Sequence, residues 1–216
     1  MLINPNATRV LCYGDSNTHG AQPDDTTRWP IDIRWTGQLQ QRLGDDYDVI
    51  EEGLGGRTTD LDQADRPGGN GRAYLTPCLL SHCPLDIIVL MLGTNDVKAR
   101  FDRPVERIAE ALGGLVDDIR SVAYGRDGHV PTIVVVTPVP VDDRAARFAE
   151  SSDEYDLISV AKSRGLAAAY REFAEAQGLL FADAGAVGSV GADGVHLDAA
   201  SHGRIAEMIS TLIVAH

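Results

Sequence analysis

The sequence predicts a doubly wound, three-layer α/β domain, and three observations support this. Strand-like apolar runs alternate with amphipathic helical patterns along the whole chain. Two runs, LDIIVLML at 85–92 and TIVVVT at 132–137, are continuously apolar and rich in β-branched residues. Central strands of a parallel sheet read this way, because helices cover both of their faces. About five strands separated by helices then stack as one sheet between two helical layers. A length of 216 residues and a hydrophobic fraction of 44% suit a single domain, 1–216, with a sizeable core.

The first strand is predicted at 10–13, an apolar run bounded by Gly14. The others are 47–51, 85–92, 132–137 and 179–181. Helical patterns fill the gaps. The pattern at 33–43 follows the first strand and its polar turn. The helix at 104–123 opens on a proline, whose fixed φ suits a first helical position. The helix at 154–177 stops before Gly178, and the last helix, 198–214, has Asp198 as its candidate N-cap. Two longer excursions remain. Residues 60–74 carry Pro67, Gly68, Gly69 and an Asn70-Gly71 turn signal, and residues 138–153 start with two prolines among mixed charges. Each leaves a strand or its turn, so each borders the carboxyl edge of the sheet. Trp29, Trp35 and Phe101 are expected to be packing residues.

A net charge of -13, from 32 acidic and 19 basic residues, argues against nucleic acid or an anionic membrane as partner. The three cysteines, Cys12, Cys78 and Cys83, are an odd number, with Cys12 inside a predicted buried strand, which suits a reducing compartment. No membrane span is legible, nor a signal peptide at the start. The expected location is the cytoplasm. Cys78, His82 and Cys83 lack the Cys-x-x-Cys pairing of structural zinc, so no metal site is expected there.

Chemistry concentrates where strands end. After the first strand comes Gly14-Asp15-Ser16-Asn17-Thr18-His19-Gly20, at the edge where open α/β sheets bind ligands. Ser16 follows a glycine that permits a sharp turn, and it is the candidate nucleophile. Such a serine needs a base and an acid that orients the base, and Asp193-Gly194-Val195-His196 offers both within one turn. Donors for a developing oxyanion come from two stretches. One is the glycine-rich run from Gly53 to Thr59, and the other is Gly93-Thr94-Asn95-Asp96, where Asn95 brings a side-chain amide. The glycines suit a phosphate equally well. Asp15, Asn95, Asp96 and His196 compose a metal-dependent phosphoesterase alternative, which leaves Ser16 without a role. The α/β-hydrolase elbow Gly-x-Ser-x-Gly is absent, because Thr18 stands at its fifth position. Asn17 and His19 are candidates for the substrate pocket, and His19 serves equally as a cap of the first helix.

Four blocks in this order, Gly14-Asp15-Ser16, Gly55-Gly56-Arg57-Thr58-Thr59, Gly93-Thr94-Asn95-Asp96 and Asp193-Gly194-Val195-His196, resemble the SGNH hydrolases, the GDSL-type esterases and lipases. The resemblance spans nearly the whole chain. It implies a flavodoxin-like α/β/α fold, a Ser16–His196–Asp193 triad, and an oxyanion hole built from the Ser16 and Gly56 N–H groups and the Asn95 amide. It implies neither a metal nor an organic cofactor. Arg34-Trp35-Thr36-Gly37, Val49-Ile50-Glu51-Glu52-Gly53-Leu54 and Met91-Leu92-Gly93-Thr94-Asn95-Asp96 are similar to the bacterial arylesterase/acyltransferase branch, which includes perhydrolases. That likeness implies small acetyl-like ester substrates, aryl acetates or acetylated sugars, and a homo-oligomer, octamers included. Asn17, Thr18 and His19 are more polar than that branch's residues after the nucleophile, which favours hydrolysis over acyl transfer.

Overall fold

The computed structural model describes residues 4–25, 27–151 and 153–216. Residues 1–3, 26 and 152 lie outside it, so one residue of the 138–153 excursion and the first three of the start are not described. Five parallel strands form one sheet in the order β2-β1-β3-β4-β5: β1 (Thr8–Gly14), β2 (Tyr47–Gly53), β3 (Ile87–Met91), β4 (Thr132–Thr137) and β5 (Leu180–Asp183). This is the flavodoxin-like order, and its direction reverses between β1 and β3, the point at which such sheets bind ligands. The expected fold class is the observed one. No helix among the described residues is long and apolar enough to cross a membrane.

The period-2 alternation of side chains divides the core. Leu11, Tyr13, Ile88, Leu90, Ile133 and Val135 face one side and pack against α3 (Gly71–His82), α4 (Val105–Val122) and α5 (Leu157–Gln177). Val10, Cys12, Val89, Met91, Val134 and Val136 face the other, against α2 (Trp35–Leu43) and α6 (Ala199–Val214). Trp35 is fully buried there, a packing residue as expected. The short helix α1 (Ser16–His19) turns directly off the end of β1.

Boundaries differ from the sequence reading where capping decides them. Asp156 and Asp198 cap α5 and α6 by accepting the N–H of Ser159 and Ser201. Helix α5 therefore starts three residues later than the apolar pattern suggests. Pro104 lies one position before α4, not inside its first turn. The larger correction is α3. Residues 71–74 were expected in an excursion, yet they open a twelve-residue helix with Asn70 as its N-cap, accepting from the Ala73 N–H. The interior Pro77 obscures this helix in the sequence, since proline removes a ladder donor. Burial of Leu75, Cys78 and Leu79 against the sheet outweighs that loss.

His202 on α6 is fully buried and accepts the Trp35 N–H at its Nδ1 (3.2 Å), so the imidazole links the two helices of this layer in its neutral form. Burial, despite the nearby Asp198 charge, pushes its pKa down to about 4 from the usual 6.5. The unfolded chain therefore binds this proton more tightly, and stability falls as pH drops from 6.5 through about 4. This gap corresponds to roughly 3 kcal/mol. His202→Asn keeps the acceptor without the charge. Urea unfolding at pH 7 and pH 4.5 is expected to show a smaller acid loss in the variant than in the wild type.

Candidate active site

The site forms because two glycines let α1 fold back onto the sheet. A Cβ at Gly14 would stand 2.0 Å from Thr18 Oγ1, and one at Gly53 would stand 2.1 Å from the His19 nitrogen. Without side chains at those positions, α1 crosses the ends of β1 and β2 in contact with both. Asp15 accepts the Asn17 N–H (2.9 Å) and starts the helix, and Ser16 becomes its first residue.

The partner of Ser16 arrives from the far end of the chain. Between β5 and α6, the segment 190–197 folds back on itself through a Val190–Leu197 bridge, with Gly194 in the left-handed region at φ 75°. Asp193 Oδ1 accepts the N–H groups of Val195 and His196 (2.9 Å each), which leaves Oδ2 to accept from His196 Nδ1 at 2.6 Å. The ring's other nitrogen, Nε2, lies 3.1 Å from Ser16 Oγ. Burial pushes the Asp193 carboxyl up, but the hydrogen bonds from His196 and the backbone outweigh it and hold the carboxyl below its ordinary range. Asp193 is thus an anion facing the imidazole at neutral pH.

The two glycine-rich ends supply donors beside Ser16. The 54–57 turn, closed by Arg57 N–H to Leu54 O (3.1 Å), holds Gly56 at φ 77°. Asn95 Nδ2 donates to Arg57 O at 3.0 Å, and its second N–H faces Asp15 Oδ2 at 3.5 Å, too long to hold it. The Tyr155 hydroxyl faces Asn95 Oδ1 at 3.5 Å and favours the amide orientation that turns nitrogen toward the site. Ser16, Gly56, Asn95 and His196 all line one cavity of about 500 Å³.

His19 lines the same cavity. Burial and the charges of Arg28 and Arg34 push its pKa down, so it presents a neutral ring. Asn17 is a correction. Its side chain is not in the cavity but reaches the 190–197 segment, where it accepts the Leu197 N–H (3.0 Å) and donates to Val195 O (3.4 Å). Those two residues flank His196, so Asn17 straps the nucleophile turn to the histidine segment. Asparagines after a strand commonly serve in turns, and nothing local in the sequence points 180 residues ahead.

The sequence reading also leaves Arg57 without a role. Its buried guanidinium lies against the Tyr13 ring (4.3 Å) and near that of Tyr74 (5.3 Å), and it donates to Gly14 O (2.9 Å) and to Glu52 O. Asp96 turns away from Ser16 and accepts the N–H and hydroxyl of Thr59 and an N–H of Arg103. Burial, against these bonds, pushes the Asp96 pKa up to about 6. Asp15, Asp96 and His196 therefore do not gather as the phosphoesterase alternative requires. Among the described residues, the one group with metal-ligand spacing is Glu52, Cys78 and His82, away from Ser16. There His82 Nε2 already bonds Glu52 Oε1 (2.9 Å), and burial with the Glu52 charge pushes the Cys78 thiol up to about 12. A metal there would have to displace both the thiol proton and the His82–Glu52 bond.

Both excursions meet at this edge. Residues of the 138–153 excursion clamp the histidine segment: Asp142 N–H donates to Gly194 O (2.9 Å), Arg147 N–H to Ala192 O (2.7 Å) and Ser151 Oγ to Asp193 O (3.2 Å). From the other excursion, Gln63 Nε2 donates to Gly56 O (2.9 Å).

Solved structures share this fold over nearly the whole chain. A carbohydrate acetylesterase, Est24, from Sinorhizobium meliloti is 37% identical with a TM-score of 0.89, the match covering 96% of this chain and 99% of that one. An aryl esterase of M. smegmatis is 36% identical with a TM-score of 0.88, covering 97% and 99%. A second carbohydrate acetylesterase family member from S. meliloti is 33% identical with a TM-score of 0.90, covering 96% and 98%. No curated protein sequence matches. The sequence profile of the GDSL-like lipase/acylhydrolase family matches residues 12–204, and with the Ser16, Gly56, Asn95 and His196 blocks meeting at one sheet edge, this chain belongs to that family and is a carboxylic ester hydrolase.

Proposed function

We propose that the protein hydrolyses small acetyl-like esters through an acyl-enzyme on Ser16. The observation that carries this reading is the unbroken hydrogen-bonded line from Ser16 Oγ through His196 to Asp193. Ser16 Oγ attacks the ester carbonyl carbon while His196 Nε2 takes its proton, and the Asp193 carboxylate stabilises the imidazolium. The carbonyl π electrons move onto oxygen. That oxyanion meets the N–H groups of Ser16 and Gly56, which donate to no described protein group, and the second N–H of Asn95. Collapse breaks the ester C–O bond, and the alcohol leaves with the proton from His196. Water, deprotonated by the same nitrogen, then attacks the acyl carbon, releasing the acid and restoring Ser16.

The cavity and the aryl- and carbohydrate-ester relatives support a short acyl group on either an aryl or a sugar alcohol. A neutral His19 and a hydroxyl at Tyr155 suit a polar alcohol part.

Ser16→Ala is expected to lower kcat for p-nitrophenyl acetate by several orders of magnitude with unchanged circular dichroism. Equal rates in variant and wild type overturn the reading. Asn95→Ala should lower kcat by about 10²–10³-fold if its amide meets the oxyanion. Asn17→Ala leaves the buried Leu197 N–H unpaired. It should cost about 1–3 kcal/mol in urea unfolding and lower kcat more than it changes KM, because it frees the His196 segment.

A further inference from the structure

Two cations stand on the wall of the Ser16 cavity, and their charges are balanced differently. Lys98 Nζ is paired with Glu154 Oε1 at 2.8 Å and is answered locally. Arg66 has no carboxylate at ion-pair distance among the described residues. Among the described residues its side chain makes one hydrogen bond, a long one, from a terminal nitrogen to Gly55 O at 3.3 Å, and its Nε is shut off from solvent with no acceptor. A half-buried guanidinium in that state has the N–H groups of its two terminal nitrogens to offer.

Arg66 is also held in place. Its own N–H donates to Gln63 O (3.1 Å) and its carbonyl accepts the Gly69 N–H (3.0 Å), so two tight turns fix its backbone. Its side chain lies on Gly56: a Cβ there would stand 2.4 Å from Arg66 Cδ, 2.5 Å from Nε and 2.6 Å from Cζ. The guanidinium therefore stacks on the residue whose N–H faces the ester oxygen. In a protein of net charge -13, a cation kept free beside the reacting centre runs against the general field.

We propose that Arg66 is a specificity residue and forms a subsite for a carboxylate carried by the ester substrate. Planar guanidinium and planar carboxylate match as a two-bond fork, and the partial enclosure of the cavity strengthens the pair. The favoured substrates are acyl esters of small hydroxy acids or of acidic sugars. This rests on the esterase reading for the reaction itself, but the subsite has its own readout.

The test compares 3-acetoxybenzoate with phenyl acetate. The ratio of their kcat/KM values is expected to fall about tenfold or more in Arg66→Gln, through KM of the anionic ester, and to recover substantially in Arg66→Lys. An unchanged ratio in Arg66→Gln overturns the proposal. Benzoate binding by titration calorimetry reads the subsite without turnover. The wild type should bind benzoate at least about tenfold more tightly than it binds neutral benzamide, and equal binding overturns the proposal even where the glutamine variant does not fold. Loss of phenyl acetate hydrolysis in the wild type would count against the esterase reading and leave the calorimetric result standing.

Discussion

A buried guanidinium holds the ends of β1 and β2 together. Arg57 donates to the last carbonyl of β1 and to Glu52 of β2, with its guanidinium against the rings of Tyr13 and Tyr74. The same residue's N–H closes the turn that sets Gly56, and its carbonyl takes one of the two Asn95 N–H groups. Three donors on three separate strand ends are therefore referred to one side chain and its peptide units. A charge in the interior is expensive unless it is answered, and the two strand-end carbonyls both accept from Nη1, while Nε is left without an acceptor among the described residues. The cost of burying it is offset by fixing positions that no single strand could fix alone.

The rest of the edge is tied down in the same way, through polar groups shared between loops. Glu51 gathers Arg28, Arg34 and Thr36, and Arg34 lies against Gly20 where α1 ends. Asp96 does the same for Thr59 and Arg103 on the opposite flank. These networks surround the Ser16–His196 pair without entering it. The loops are thereby rigid enough for an oxyanion pocket, whose effectiveness depends on donors being in place before charge develops.

Much of this was legible because the strands are buried on both faces. Runs such as LDIIVLML leave few other interpretations, and the residues after each strand fall at one edge by topology alone. The Asp193–His196 turn was legible because both groups sit within one Asx-type turn. What escaped was set by contacts distant in sequence. Helix α3 hides behind Pro77 because local propensity disfavours it, and only the sheet's apolar face makes it worthwhile. Asn17 and Arg57 are turn residues in the sequence, yet one bonds to residues near 196 and the other to two strands. No pattern within a window of a dozen residues carries that information. The 138–153 excursion was placed at the correct edge, but its clamp on the histidine segment depends on backbone groups, which carry no residue signature.

The 180-residue separation between Ser16 and His196 has a further consequence. Ser16, its turn and the first strand are synthesised 180 residues before the histidine that faces them. Until the histidine segment docks onto Asn17, Ser16 is an ordinary alcohol. A growing or incompletely folded chain is therefore chemically silent toward esters. Under the proposed mechanism, acylation of Ser16 would report that two segments 180 residues apart have met.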